Sequence, residues 1–393
     1  MSELHNLIEK YWDAVQKHRI WLHQHPEPSG QEKETAAYIA KTLREIGLEP
    51  KENIGGYGVV ALIEGNGPGK CVGLRADFDA LQITECTGLD FSSLNPGMAH
   101  SCGHDSHTAM LLGAAYVLNE IRDQFSGTIK LVFQPSEENS ADSGAKKMIA
   151  DGVLENPHVD AMFGQHVWSG ASVGKIACRS GALTAASDRF FITIHGKNSH
   201  GSAPHSGIDA IVIASQVVTA LQSIVARNTA PLESAVVTVG TFDGGTRYNI
   251  IADEVKMEGT CRNLDLAVRD RIAKRMEDII KGITEGMGGT YEFTYIKGHP
   301  PTINHPQMVA AVREATAEVL GSEHFIDIPS AGLGGEDFSY YAQCVPSCFF
   351  NLGCRDMNKP YYPAHHGAFA PEWESLPIGM EVLLTAALKY LAQ

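Results

Sequence analysis

The sequence predicts an α/β protein: a mixed sheet covered by helices on both faces, with a smaller ferredoxin-like βαββαβ domain inserted into it. Three observations carry this. Over the first 180 residues, strands rich in Val, Ile, Leu and Phe alternate with helix-spaced segments, the pattern of a sheet buried on both faces. The rhythm then changes to strand, helix, two strands, helix and strand. At 393 residues, the chain is also too long for one domain of about 150 residues. Residues 1–180 and 299–393 are expected to form the larger domain, and 181–298 the insert.

The elements justify this in order. "QEKETAAYIAKTLREIGL" has helical spacing and runs out at Gly47. "GVVALIEG" and "CVGLRADFDAL" read as strands, and "SHTAMLLGAAYVLNEIR" as a helix starting near Ser106. Strand "GTIKLVFQP", helix "AKKMIADGVL" and strand "DAMFGQHVW" follow. In the insert, strand "DRFFITIHG" leads to helix "GIDAIVIASQVVTALQSIVARN". Strands "SAVVTVGTFDGG" and "EVKMEGTCRNL" come next, then helix "AVRDRIAKRMEDIIKGITEGMG" and strand "TYEFTYIKG". The α/β pattern resumes with helix "PQMVAAVREATAEVLG", turn "GLGGED", strand "SCFFNLG" and helix "PIGMEVLLTAALKYLA".

Hydrophobic residues make up 44% of the chain, enough for real cores. The net charge of −15 speaks against nucleic acid, because phosphate binding needs a basic patch. The segment Met1–Gly30 is charged throughout, so no signal peptide is expected. The most apolar stretch, "AIVIASQVVTALQSIVA", is interrupted by Ser215, Gln216, Thr219, Gln222 and Ser223. It is expected to be a buried amphipathic helix, not a membrane span. The 8 cysteines are scattered, and most are expected to be reduced and buried, Cys344, Cys348 and Cys354 among them. A cytoplasmic protein is the expectation.

Chemistry concentrates at a few places. "GMAHSCGHDSHTAMLLGAA" sets Cys102 and His104 as a C-x-H pair before a helix. Thiolate and imidazole are both zinc-type ligands, and a helix N-terminus also favours a reactive thiolate. Packing and capping are the bland alternatives. "FQPSEEN" puts Glu137 and Glu138 just past an apolar strand, at the end where α/β sheets bind ligands. Adjacent carboxylates repel unless a cation or a shared proton relieves them. "GQHVW" ends another strand with His166, and "YYPAHHGAF" offers His365 and His366. Asp77 and Asp79 of "LRADFDAL", two apart, could orient a ligand histidine. In the insert, His200 and Asn249 are candidate donors to an oxyanion, and Arg262 a clamp for a carboxylate.

Together these motifs resemble the M20 metallopeptidase family, in particular its amidohydrolase branch of hippurate hydrolase, N-acyl-amino-acid amidohydrolases and plant indoleacetyl-amino-acid hydrolases. "LRADFDAL", "MAHSCGHDSHTAMLLGAA", "FQPSEE", "GAKKMIADG", "GQHVW", "HGSAPHSGIDAI", "GGTRYNIIADEVKMEGTCR", "GGEDFSYY" and "LPIGMEVL" match in order over nearly the whole chain. The resemblance implies a catalytic domain with two divalent metal ions, zinc first, with manganese, cobalt or nickel as alternatives. It also implies an inserted lid domain that forms a homodimer or higher oligomer. Carried over residue by residue, Cys102, His104, Glu138, His166 and His365 are metal ligands and Glu137 the general base. His200 and Asn249 stabilise the oxyanion, and Arg262 with Gly334 and Gly335 holds the substrate carboxylate. The implied reaction is hydrolysis of an N-acyl amino acid, or of a peptide as a di- or aminopeptidase. A Cys102 thiol hydrolase and a non-catalytic binding protein are the remaining alternatives. The chain departs from the family pattern at Gln82, at "NSADSG" after the glutamates, and at "AHHG", which leaves His365 and His366 both open as the last ligand.

Overall fold

The structure, a computed structural model, describes residues 3–393. The chain divides into two compact units. One comprises Met1–Leu183, Thr302–Ser330 and Asp337–Gln393; the other comprises Thr184–Pro301 and Ala331–Glu336. The breaks fall three residues later than the sequence boundaries, and the turn carrying Gly334 and Gly335 joins the second unit rather than the first. Backbone bonds are the reason. Leu183 N–H donates to the Thr302 carbonyl (2.8 Å), whereas Ala185 N–H donates to Gly334 (3.0 Å) and Ser187 N–H to His299 (3.1 Å).

The first unit opens with α1 (Glu3–Gln24), a helix the sequence reading, which starts at Gln31, leaves out. Its Ile8, Val15 and Leu22 are buried. Next come α2 (Lys33–Glu45), β1 (Lys51–Ile54), β2 (Gly58–Glu64) and β3 (Cys71–Asp77). Then follow α3 (His104–Glu120), β4 (Thr128–Gln134), α4 (Gly144–Ala150), β5 (Ala161–Ser172), β6 (Ile176–Cys178) and β7 (Gly181–Ala182). The second unit holds β8 (Ala186–His195), β9 (Ser199–His200), α5 (Ala210–Asn228), β10 (Ala235–Gly244), β11 (Ile250–Ile251), β12 (Glu254–Asn263), α6 (Leu266–Gly286) and β13 (Thr290–Ile296). The first unit is completed by β14 (Ile303–Asn304), α7 (Pro306–Val319), β15 (Phe325–Asp327), α8 (Ser339–Cys344), β16 (Ser347–Arg355) and α9 (Ser375–Leu391).

Eight strands of the first unit form a mixed sheet in the order β1-β2-β4-β3-β5-β16-β6-β15. Its centre, β4-β3-β5-β16, is parallel, which is why all seven residues of β3 are buried. The short strands β6 and β15 escape sequence reading because three residues carry no period. Side-chain alternation splits the apolar residues between the two faces. Val59, Ala61 and Ile63 join the core under α1, α3 and α9, and Val60 joins Met148, Phe338 and Tyr341 on the other side. Gly113 permits that first core to close. A Cβ there would lie 2.6 Å from both Val15 Cγ2 of α1 and Met380 Cε of α9.

The second unit is an antiparallel sheet in the order β10-β12-β8-β13, with α5 and α6 packed on it, a ferredoxin-like arrangement. Asp209 caps α5 by accepting from Ile211 N–H (3.0 Å), and Asp265 caps α6 by accepting from Ala267 N–H (2.8 Å). Helix α5 is not buried as expected. Ile213, Val217, Leu221 and Ile224 enter the core, but Ile211, Val212 and Val225 are exposed, because only one face meets the sheet. By length and composition alone α5 is apolar enough to cross a membrane. The cysteines are free and six are buried; Cys86 and, at the end of α8, Cys344 are exposed. Cys344 therefore departs from the buried-thiol expectation, which Cys348 and Cys354 meet.

Candidate metal centre

The site forms at the carboxyl ends of the parallel strands, from the loops that follow β3, β4 and β16 and from β5 itself. Gly103 has φ +88°, a left-handed conformation that glycine adopts without strain. A Cβ there would meet Val167 Cγ2 at 2.4 Å. This turn starts α3 at His104, two residues before the expected Ser106, and buries Cys102 and His104. Cys102 Sγ lies 3.3 Å from Nε2 of His166, which sits inside β5 and not at its end as expected, because pairing with β16 carries the strand on to Ser172. His365 Nε2 lies 3.1 Å from Glu138 Oε1. Ligand atoms of Cys102, His104 and His166, of Cys102, Glu138 and His365, and of His104, Glu137 and Glu138 each fall within 4.8 Å of one another. Six side chains singled out from the sequence therefore converge.

Hydrogen bonds fix which nitrogens face the cluster. His104 Nδ1 donates to the Asp79 carbonyl (2.9 Å) and lies 3.1 Å from Asp79 Oδ1. Its Nε2 is buried without a hydrogen-bond partner. His166 Nδ1 donates to the Val167 carbonyl (2.7 Å), which also leaves Nε2 to the cluster. A ligating imidazole is held this way, with one nitrogen donating outward and the other bare. His107 is different. Val167 N–H donates to its Nε2 (2.9 Å) and its Nδ1 lies 2.6 Å from Asp77 Oδ1, so both nitrogens are engaged. Asp105 is paired with His23 (2.9 Å) and Arg19 (3.5 Å). His366 accepts from Ala368 N–H (3.0 Å) and stacks on Tyr362, so His365 is the histidine of that loop facing Glu138.

The electrostatics suit a cation. Burial pushes the Cys102 thiol well up, and Glu138 and Glu137 add to it. Burial opposes charge on His104, but Asp77 and Asp79 outweigh it and raise the imidazole to about 10: these carboxylates favour a positive charge beside the ring, which a proton on Nε2 supplies in the absence of a cation and a bound cation would supply in its place. Burial, helped by His107, pushes His166 down to about 3, the neutral form a ligand needs. A thiol, imidazoles and a carboxylate around a partnerless buried nitrogen are a donor set that fits divalent metal.

The loop carrying the two glutamates is pinned at several points. Glu138 N–H donates to Asp79 Oδ2 (3.0 Å), and Ser136 N–H to Glu32 Oε1 (2.8 Å). Burial, then Asp79, raises Glu32 to about 7. Asp337, of the "GGED" turn, accepts from Arg75 (2.8 Å), Gln134 (2.9 Å) and Ser143 (2.7 Å). Arg75 in turn holds Asp77 (2.6 Å). Sequence reasoning missed Glu32, Arg75 and Asp337. The one available signal was a charge inside an otherwise apolar strand, at Arg75.

His200, Asn249, Arg262, Gly334 and Gly335 belong to the second unit. His200 on β9 pairs with Ile250 on β11, and Gly201 N–H donates to the Asn249 carbonyl (2.8 Å), so His200 and Asn249 lie close together. Ser202 N–H lies 3.1 Å and Ser202 Oγ 2.7 Å from His200 Nδ1, so Nδ1 is the ring nitrogen that Ser202 engages. Arg262 lies on β12, its Nη1 donating to the Cys261 carbonyl (3.0 Å).

The sequence profile of Peptidase family M20/M25/M40 matches residues 73–389. The chain is 42% identical over 331 residues to the N-acyl-L-amino acid amidohydrolase of Geobacillus stearothermophilus, covering 82% of this chain and 89% of that one. It is 39% identical over 393 residues to thermostable carboxypeptidase 2 of Saccharolobus solfataricus, covering 99% and 98%. Among solved structures it resembles the Bacillus subtilis YXEP protein, a dinuclear metal-binding peptidase from the M20 family. There the TM-score is 0.84 at 34% identity, covering 98% and 99%.

Proposed function

The chain belongs to peptidase family M20/M25/M40, and on that premise we propose that it hydrolyses the amide bond of N-acyl amino acids with two divalent metals, giving a carboxylic acid and a free amino acid. One observation carries the reading: five ligand-type side chains converge with a further carboxylate, Glu137, beside them. A purely structural metal site is closed and has no use for such a base.

Cys102, His104, Glu138, His166 and His365 hold the metals in this proposal, and zinc suits their mixed donors best. Bound there, divalent cations acidify water and polarise the scissile carbonyl. Glu137 takes the proton from the attacking water and returns it to the departing amine nitrogen. Asp79 keeps His104 turned toward the cluster, and the Val167 carbonyl does the same for His166. We assign oxyanion stabilisation to His200 and Asn249, and the substrate carboxylate to Arg262 with Gly334 and Gly335. Ser202 engages His200 through Nδ1, which supports Nε2 as the donor atom in this role.

A homodimer through the second unit is part of the same proposal. Strand β10 lies at the sheet edge, and Phe242 on it and Ile211, Val212 and Val225 on α5 are exposed apolar residues. Exposed apolar side chains beside an open sheet edge support a contact surface there.

A second reading, peptide hydrolysis by the same centre, draws on the likeness to the carboxypeptidase. A Cys102 nucleophile is disfavoured, because its surroundings hold the thiol protonated. The experiment is amine release across N-acetyl, N-benzoyl and indoleacetyl amino acids and dipeptides, with metal analysis on the same sample. Turnover that dies in chelator and returns with metal supports the proposal. Turnover that survives chelation but not alkylation overturns it.

A further inference from the structure

Glu32 occupies the N-cap position of α2, yet its side chain makes no cap bond to that helix. The helix is capped by Glu27 instead, which accepts from Glu34 N–H (3.1 Å) and Thr35 N–H (2.8 Å). Glu32 is completely buried and reaches across to the loop after β4. There its Oε1 accepts from Ser136 N–H (2.8 Å) and Ser136 Oγ–H (3.1 Å). Its other oxygen has no hydrogen-bond partner.

The residue it grips is strained. Ser136 has φ +54°, the left-handed region, which is unfavourable for a residue with a Cβ. Such a conformation persists only where its surroundings enforce it. The peptide immediately after Ser136 carries Glu137, so the twist at 136 sets the direction in which the Glu137 side chain leaves the backbone. Asp79 anchors the far side of the same turn at Glu138 N–H. Among the described residues no other side chain bonds to Ser136.

We propose that Glu32 is a positioning residue for the general base: by clamping Ser136 in the left-handed conformation, it aims Glu137 at the reacting water. This rests on the proposed role of Glu137. Glu32 touches neither substrate nor metal in this account, and its job needs an acceptor oxygen, not a charge.

The test uses the metal-loaded full chain with N-acetyl-L-alanine and N-benzoylglycine. Glu32→Gln keeps the acceptor and is expected to keep kcat. Glu32→Met has similar length but no acceptor, and is expected to lose about 100-fold in kcat, with KM and metal content unchanged. Adding Ser136→Gly removes the penalty for the left-handed turn and is expected to restore about tenfold of the lost kcat. Wild-type kcat in Glu32→Met overturns the proposal, and so does a loss that Ser136→Gly leaves untouched. Glu137→Gln is the control. If that variant keeps turnover, the base assignment itself is wrong, a failure distinct from that of Glu32.

Discussion

His104 Nδ1 sits 3.1 Å from Asp79 Oδ1 and 2.9 Å from the Asp79 carbonyl, so a single aspartate holds the ring from two directions. The same carboxylate, through Oδ2, accepts from Glu138 N–H and from Ser29 Oγ–H (2.7 Å). Two candidate ligands from different loops are thereby set against each other by one buried group. Asp79→Ala should weaken metal binding about 10- to 100-fold. Chelator-competition titration measures it, and unchanged affinity would remove Asp79 from this role.

Glu137→Gln retains shape but cannot accept the proton. A drop in kcat of about 10²- to 10⁴-fold is expected, with metal content at the wild-type level by elemental analysis.

The loop "AHHG" offers two histidines, and the structure separates them. His365, with φ +68°, turns toward Glu138, while His366 is engaged by Ala368 N–H and Tyr362. His365→Ala should lower the bound metal per chain, and His366→Ala should not. Parallel metal analysis of the two variants decides between them.

Stability should fall on the alkaline side through His23. Burial opposes its charge, but Asp105 and Glu85 raise it from 6.5 to about 9. A raised folded-state value means the contribution is complete below pH 6.5 and is lost as pH rises through about 9. At about 1.4 kcal/mol per unit, the upper bound is about 3.5 kcal/mol. The deficit of His23→Gln in urea unfolding should therefore be largest near pH 6 and shrink toward pH 10. Glu85 works in the opposite sense. Burial would raise it, but His23 and Thr87 hold it down to about 2, so its contribution is lost as pH falls from 4.5 through about 2.

Charge on the exposed apolar face should break the proposed dimer. Light scattering should give about twice the 42.4 kDa chain mass for the wild type. A Phe242→Glu, Val225→Glu double variant should shift toward the single-chain mass. A wild-type protein that runs as a monomer would refute this interface.

Much of this was legible from the order of residues. Strand alternation marked the sheet, the βαββαβ order marked the insert, Cys102 stood before a helix, and Glu137 and Glu138 stood past a strand end, where ligands bind; His166, expected at a strand end, lies inside β5. These signals are local: a period, a cap, or a pair of carboxylates that cannot both remain charged without help. Other features depend on contacts far apart in the chain. Nothing in the sequence says that His107 is consumed by Asp77 and Val167 while His104 keeps a bare nitrogen, because both lie buried on the same helix. The same holds for Glu32 reaching residue 136, Asp337 reaching Arg75, and the selection of His365 over His366. Hydrogen-bond partners are assigned by distance and direction in space. The sequence thus determined which residue types could form a metal site, and only the tertiary structure decided which of their atoms face one another.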